Sequence, residues 1–130
     1  MSEIRATPTA SGERVTVLIV DDSEDQRSLL RRYFERAGCA VTAVVNGEEA
    51  IVAYNAATPD LTVIDLILPG ITGWELAKRM RTDRPECVVV ITSVLDASEY
   101  PAAHATLPKP FTGAQVRKLL RDLVPKWTAA

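Results

Sequence analysis

The sequence predicts an α/β domain built on a doubly wound, five-stranded parallel sheet, and three observations carry that expectation. Short, apolar runs rich in β-branched residues alternate with stretches whose apolar residues recur at helical spacing. Helix-capping residues stand at the head of those stretches and Gly or Pro at their ends. Two of the runs finish in carboxylates, Asp21-Asp22 and Asp65, which is where open α/β sheets present their ligands.

Residues 1–14 have little to bury and read as a flexible N-terminal arm, followed by one domain over 15–124 and a tail over 125–130. Val15 to Val20 is the first strand. Ser23-Glu24-Asp25-Gln26 has the form of a capping box, and Leu29, Leu30, Tyr33, Phe34 and Ala37 then mark a helix over about 23–37, stopped by Gly38. A second strand runs over 40–45. Asn46-Gly47-Glu48-Glu49 starts a second helix with Ala50, Ile51 and Tyr54 on its apolar face, and Pro59-Asp60 breaks the chain before the third strand, Leu61 to Asp65.

Thr72-Gly73-Trp74-Glu75 caps a third helix with Trp74, Leu76, Ala77 and Met80 inward, ended by Arg84-Pro85. Cys87 to Thr92 is a fourth buried strand. The stretch 96–101 contains a proline and lacks a long apolar face, so the helix between the fourth and fifth strands is expected to be short or absent. Residues 105–108 form a brief fifth strand, and Thr112-Gly113-Ala114-Gln115 caps the last helix, with Val116, Leu119, Leu120 and Leu123 inward and Pro125 closing it. Strands and helices alternating in this way imply right-handed crossovers and the flavodoxin-like order 2-1-3-4-5.

Composition narrows the function. With 130 residues, 47% of them hydrophobic and 25% charged, the chain can bury the core of one ordinary domain. A net charge of -2 without a basic run argues against direct nucleic-acid binding. No apolar run approaches the ~20 residues of a membrane helix, no signal peptide is present, and a soluble cytoplasmic protein is expected. Cys39 and Cys87 have neither metal-ligand nor disulfide-framework spacing and read as buried thiols. His104, the one histidine, stands in a loop without a chemical partner in sequence, and Trp127 either packs back on the last helix or marks a partner contact.

In the order 2-1-3-4-5 the first and third strands are neighbours, so Asp21, Asp22 and Asp65 converge at one sheet edge. Thr92 arrives from the next strand and Lys109 from the loop after the fifth. Three close carboxylates repel one another, and a hard Mg2+ held by oxygen ligands relieves them. An ammonium and a hydroxyl facing the same point suit the oxygens of a phosphoryl group, with Asp65 as its nucleophilic acceptor.

These residues resemble the receiver domain of bacterial two-component response regulators. The resemblance runs over about residues 14–124, through Val20-Asp21-Asp22-Ser23, the stretch Pro59 to Gly70 around Asp65, Ile91-Thr92-Ser93 and Leu107-Pro108-Lys109-Pro110-Phe111. It implies that Asp65 accepts a phosphoryl group from a phosphohistidine on a histidine kinase or histidine phosphotransfer protein. It implies too that Asp22, Asp65 and the backbone carbonyl of Ile67 bind Mg2+ directly, with Asp21 acting through water, that Thr92 and Lys109 contact the phosphoryl oxygens, and that the Lys109-Pro110 peptide is cis.

The chain departs from typical members in two places. Thr92 and Lys109 are 17 positions apart, several fewer than is usual, and Thr106 stands where members carry a Tyr or Phe that swings inward on activation. Both departures fall on the face that members use for output, so the expectation is retained phosphorylation chemistry with a different readout to an unknown downstream protein. Ile67 and Val94 flank the acceptor and offer no polar group to orient a water, which predicts slow loss of phosphate. A stand-alone phosphoacceptor module is the leading reading. The alternative is a phosphorylation-independent interaction or scaffold domain; a phosphatase of the aspartyl-phosphate type is disfavoured because Ile67 occupies the place of its general acid.

Overall fold

A computed structural model describes residues 14–95 and 103–128. Along the chain run β1 (Thr16–Val20), α1 (Glu24–Arg36), β2 (Ala40–Val44), α2 (Gly47–Ala56), β3 (Leu61–Asp65), α3 (Gly73–Asp83), β4 (Val88–Thr92), β5 (Ala105–Thr106) and α4 (Gly113–Leu123). All strand pairs are parallel and the sheet order is β2-β1-β3-β4-β5, as the sequence predicts. The arm expected over 1–14 lies, apart from Arg14, outside the described residues, and so does the stretch 96–102 where a short or missing helix is expected.

Alternation along the strands sends successive side chains to opposite faces and so builds two cores. On one face Val17, Ile19, Val63 and Val90 meet Leu30 and Phe34 of α1 and Val116 and Leu120 of α4. On the other, Leu18, Val20, Ile64 and Ile91 meet Ala50 and Tyr54 of α2 and Leu76, Ala77 and Met80 of α3, with Trp74 half-buried at the margin. Each large side chain fully withdrawn from water contributes about 1.5–3 kcal/mol, so the two layers hold the strand ends in a fixed frame. Cys39 and Cys87 are buried free thiols, and burial pushes both up to about 11. No helix among the described residues is long and apolar enough to cross a membrane.

Helix starts agree with the sequence signals. The side chains of Asn46, Thr72 and Thr112 each accept from the backbone N-H three residues on, and at Thr112 the return bond from its own N-H to Gln115 completes a capping box. Ser23 differs from the expected box. Its hydroxyl accepts from the Gln26 N-H at 3.3 Å, but its own N-H donates to Asp21 Oδ1 at 2.9 Å, because the carboxylate two residues back is closer to hand than a long side chain three residues on.

The fifth strand is also shorter than the expected 105–108. Its ladder with β4 covers Ala105 and Thr106, and Pro108 has no N-H with which to extend it. At its start the His104 N-H donates to the Val89 carbonyl and His104 Nδ1 accepts from the Val89 N-H, both at 2.9 Å. The imidazole thus substitutes for a backbone carbonyl at the sheet rim. Trp127 packs back: it is buried against the α1 and α4 core, its Nε1-H donates to the Ala37 carbonyl at 2.8 Å, and Arg117 lies over its ring.

Candidate functional site

The pairing of β1 with β3 sets Val20 beside Ile64, so the residues just beyond them, Asp21 and Asp65, leave the sheet side by side. Asp22 completes the cluster, and one carboxylate oxygen from each of the three lies within 4.8 Å of the others. Asp21 is fully buried, Asp65 nearly so, and Asp22 is exposed. Lys109 reaches across from the loop after β5, with Nζ 3.0 Å from Asp65 Oδ2 and 3.3 Å from Asp21 Oδ2. The Lys109-Pro110 peptide is cis.

Electrostatics at this edge are unbalanced toward negative charge. Burial raises the Asp21 carboxyl above the usual carboxylate range, and the neighbouring Asp65 pushes the same way, against the Ser23 N-H and Lys109. Burial works to lower the Lys109 ammonium, but its bond to Asp65 and the charge of Asp21 more than offset that and leave it raised. One cation facing three carboxylates leaves an oxygen-rich, anionic pocket that fits a hard divalent ion. Asp65 Oδ1 is meanwhile held by the Ile67 N-H at 3.0 Å, so both oxygens of that carboxylate have fixed donors.

Thr92 lies beside Asp65 in register and is fully buried. Its hydroxyl, however, donates to the Leu107 carbonyl at 2.7 Å, away from the acids. Ile67, whose N-H holds Asp65, and Val94, two residues past Thr92, carry apolar side chains that are 53% and 76% exposed.

Two contributors carry no signal in the sequence pattern. The Arg27 guanidinium donates to the Asp21 carbonyl at 2.8 Å and anchors the turn that bears both Asp21 and Asp22; a bond to main chain looks from sequence like one more charge on a helix face. Gly73 opens α3 directly beneath Asp65, where a Cβ would stand 2.4 Å from the Asp65 carbonyl oxygen. Only glycine lets the helix approach the backbone of the acceptor so closely.

The profile of the response regulator receiver domain family matches residues 17–121. The chain belongs to that family. A probable transcriptional regulatory protein of Mycobacterium tuberculosis, TcrX, is 31% identical over 88% of this chain and 52% of its own length. This receiver therefore spans about half the length of the curated relatives it matches. Among solved structures, the response regulator TrrA from Thermotoga maritima in complex with Mg(2+)-BeF superposes with a TM-score of 0.78 at 26% identity, covering 84% of this chain and 98% of that one. TrrA with the histidine kinase ThkA superposes at 0.76 and 24% identity, with 84% and 97% covered, a likeness of fold. Family membership makes this receiver a signal-transduction module of a two-component system, a class of phosphoacceptors with Mg2+ as the typical metal.

Proposed function

We propose that this receiver accepts a phosphoryl group on Asp65 from a phosphohistidine, carried by a histidine kinase or a histidine phosphotransfer protein. The observation that carries the reading is the meeting of Asp21, Asp22 and Asp65 with Lys109 at one buried sheet edge. A carboxylate oxygen of Asp65 attacks phosphorus, the donor's P-N bond breaks, and its electron pair returns to the imidazole nitrogen, which takes up a proton. Asp21, Asp22, Asp65 and the backbone carbonyl of Ile67 are the candidate holders of Mg2+, which when bound supplies charge neutralisation for the incoming phosphoryl oxygens.

Lys109, raised and therefore charged throughout the neutral range, releases the Asp65 carboxylate and takes a phosphoryl oxygen in its place. The Ile67 N-H keeps the carboxyl group from turning. Response regulators typically work in the cytoplasm, and we assign this one there with a downstream protein as its output. Incubation with acetyl phosphate and Mg2+ is expected to add the mass of one phosphoryl group, and Asp65→Asn is expected to abolish the addition. A chain that stays unlabelled under these conditions would instead be the interaction or scaffold domain.

A further inference from the structure

We propose that Arg27 sets the metal preference of this receiver: by gripping the Asp21 carbonyl it fixes the exposed Asp22 carboxylate where a small Mg2+ needs it. The inference rests on the reading of Asp21, Asp22 and Asp65 as holders of a divalent ion. Two of these three carboxylates have donors of their own. Asp21 Oδ1 accepts from the Ser23 N-H at 2.9 Å and Oδ2 from Lys109 at 3.3 Å, while Asp65 Oδ1 accepts from the Ile67 N-H and Oδ2 from Lys109, both at 3.0 Å. Asp22 is exposed, and no hydrogen bond or ion pair with another described residue holds its carboxylate.

Its place is therefore set by the main chain, at the peptide that joins it to Asp21. Arg27 holds that peptide. Its Nη1 donates to the Asp21 carbonyl at 2.8 Å, across six positions, and its own N-H closes the first turn of α1 on the Ser23 carbonyl at 2.9 Å. The Asp21 N-H is fixed in turn on the Val44 carbonyl at 3.2 Å. With one end of Asp21 anchored on β2 and the other on α1, the step to Asp22 is fixed in direction. Asp21 is fully buried, so no water takes the place of a donor lost from its carbonyl.

Arg27 acts here by shape and not as a counterion. Among the described residues its guanidinium makes no ion pair with Asp21, Asp22 or Asp65; the cation that does is Lys109. A positive charge near the acids but not bonded to them repels an incoming cation, so by charge alone Arg27 would hinder the metal. Its geometry has the opposite effect, and an unequal one for different ions. Mg2+ takes near-ideal octahedral geometry with oxygens at about 2.0–2.1 Å, whereas Ca2+ accepts about six to eight oxygens at about 2.3–2.6 Å in flexible arrangements. A carboxylate that swings with a loosened turn is lost to Mg2+ well before it is lost to Ca2+.

The test is a titration of the isotope-labelled full chain with Mg2+ and, separately, with Ca2+, followed by the amide shifts of Asp22 and Ile67. Arg27→Met is expected to weaken Mg2+ binding by about 10–100-fold and Ca2+ binding by much less. Arg32→Met, which removes an exposed charge from the same helix, is expected to leave both unchanged. An Arg27→Met chain that binds Mg2+ as tightly as the wild type or more so, or that loses Mg2+ and Ca2+ in equal measure, overturns the role of Arg27 and leaves the metal site standing. A wild type that takes up no Mg2+ overturns the metal reading, and this role with it. Arg27→Gln, still polar but two bonds too short to span to the carbonyl, reads the same way if the methionine variant fails to fold.

Discussion

At Asp21 burial works against the charged carboxylate. Its carboxyl is fully buried and held above the usual carboxylate range by that burial, so the folded chain binds the proton more tightly than the unfolded one. With a raised carboxyl the stabilising form is the protonated one, present at acid pH and lost as pH rises through the raised value; at neutral pH the charge is a cost. Asp21→Asn is accordingly expected to raise stability at pH 7 by about 1 kcal/mol in urea unfolding, while calorimetric titration shows weaker Mg2+ binding. A variant that is less stable at pH 7 would show that the ion pair with Lys109 outweighs the burial. The exposed apolar side chains make a second prediction: Ile67, two residues past Asp65, and Val94, two residues past Thr92, offer no polar side chain to orient water for hydrolysis, and Asp65 phosphate is expected to decay over minutes or longer by mass spectrometry. Decay within seconds would refute it. At this scale the sequence showed what was bonded through charged or polar side chains at strand ends: Asp21, Asp22, Asp65 and Lys109 do converge. It hid what was bonded through the main chain. Arg27 on the Asp21 carbonyl, the Ser23 N-H on Asp21 and the Thr92 hydroxyl on the Leu107 carbonyl all pair a side chain or carboxylate with a backbone group that every residue possesses.

Among the elements, β5 depends most on one side chain. His104 Nδ1 must be unprotonated to accept from Val89, and burial, helped by the charge of Arg81, keeps the imidazole below its ordinary value. A lowered histidine contributes stability that is whole above the ordinary imidazole range and is lost as pH falls through the lowered value. The urea midpoint is therefore expected to drop as pH is taken from about 7.5 to about 5, and the drop is expected to be smaller in His104→Asn. Equal slopes in the two proteins would remove His104 from the account. Helix starts were legible because Ser, Thr and Asn caps act within one turn of chain; the extent of β5 was not, because its pairing is decided by a proline and a histidine acting on a distant strand.

Over the whole molecule, the two-sided core was legible from apolar periodicity, since each inner strand had to bury both faces, and the strand order from the alternation of strands with helices, which admits right-handed crossovers. The packing of Trp127 was not, for its indole reaches a carbonyl 90 positions earlier. Lys126 beside it pairs with Asp60 at 3.1 Å, at the end of the sheet remote from the acids. Trp127→Ala is expected to cost about 3–5 kcal/mol in urea unfolding, with beryllofluoride binding unchanged; a loss below about 1 kcal/mol would mean the ring is only loosely docked. The sheet is unevenly defended. β1 and β3 are paired on both sides and sealed by both cores, whereas β5 hangs on a rim by a ladder of two residues. Amide protons of β1 and β3 should exchange with solvent only when the entire chain opens, and those of 105–107 through small, frequent openings of the rim alone. A strand held at the rim by two residues is the part of the sheet whose place can change at least cost to everything else.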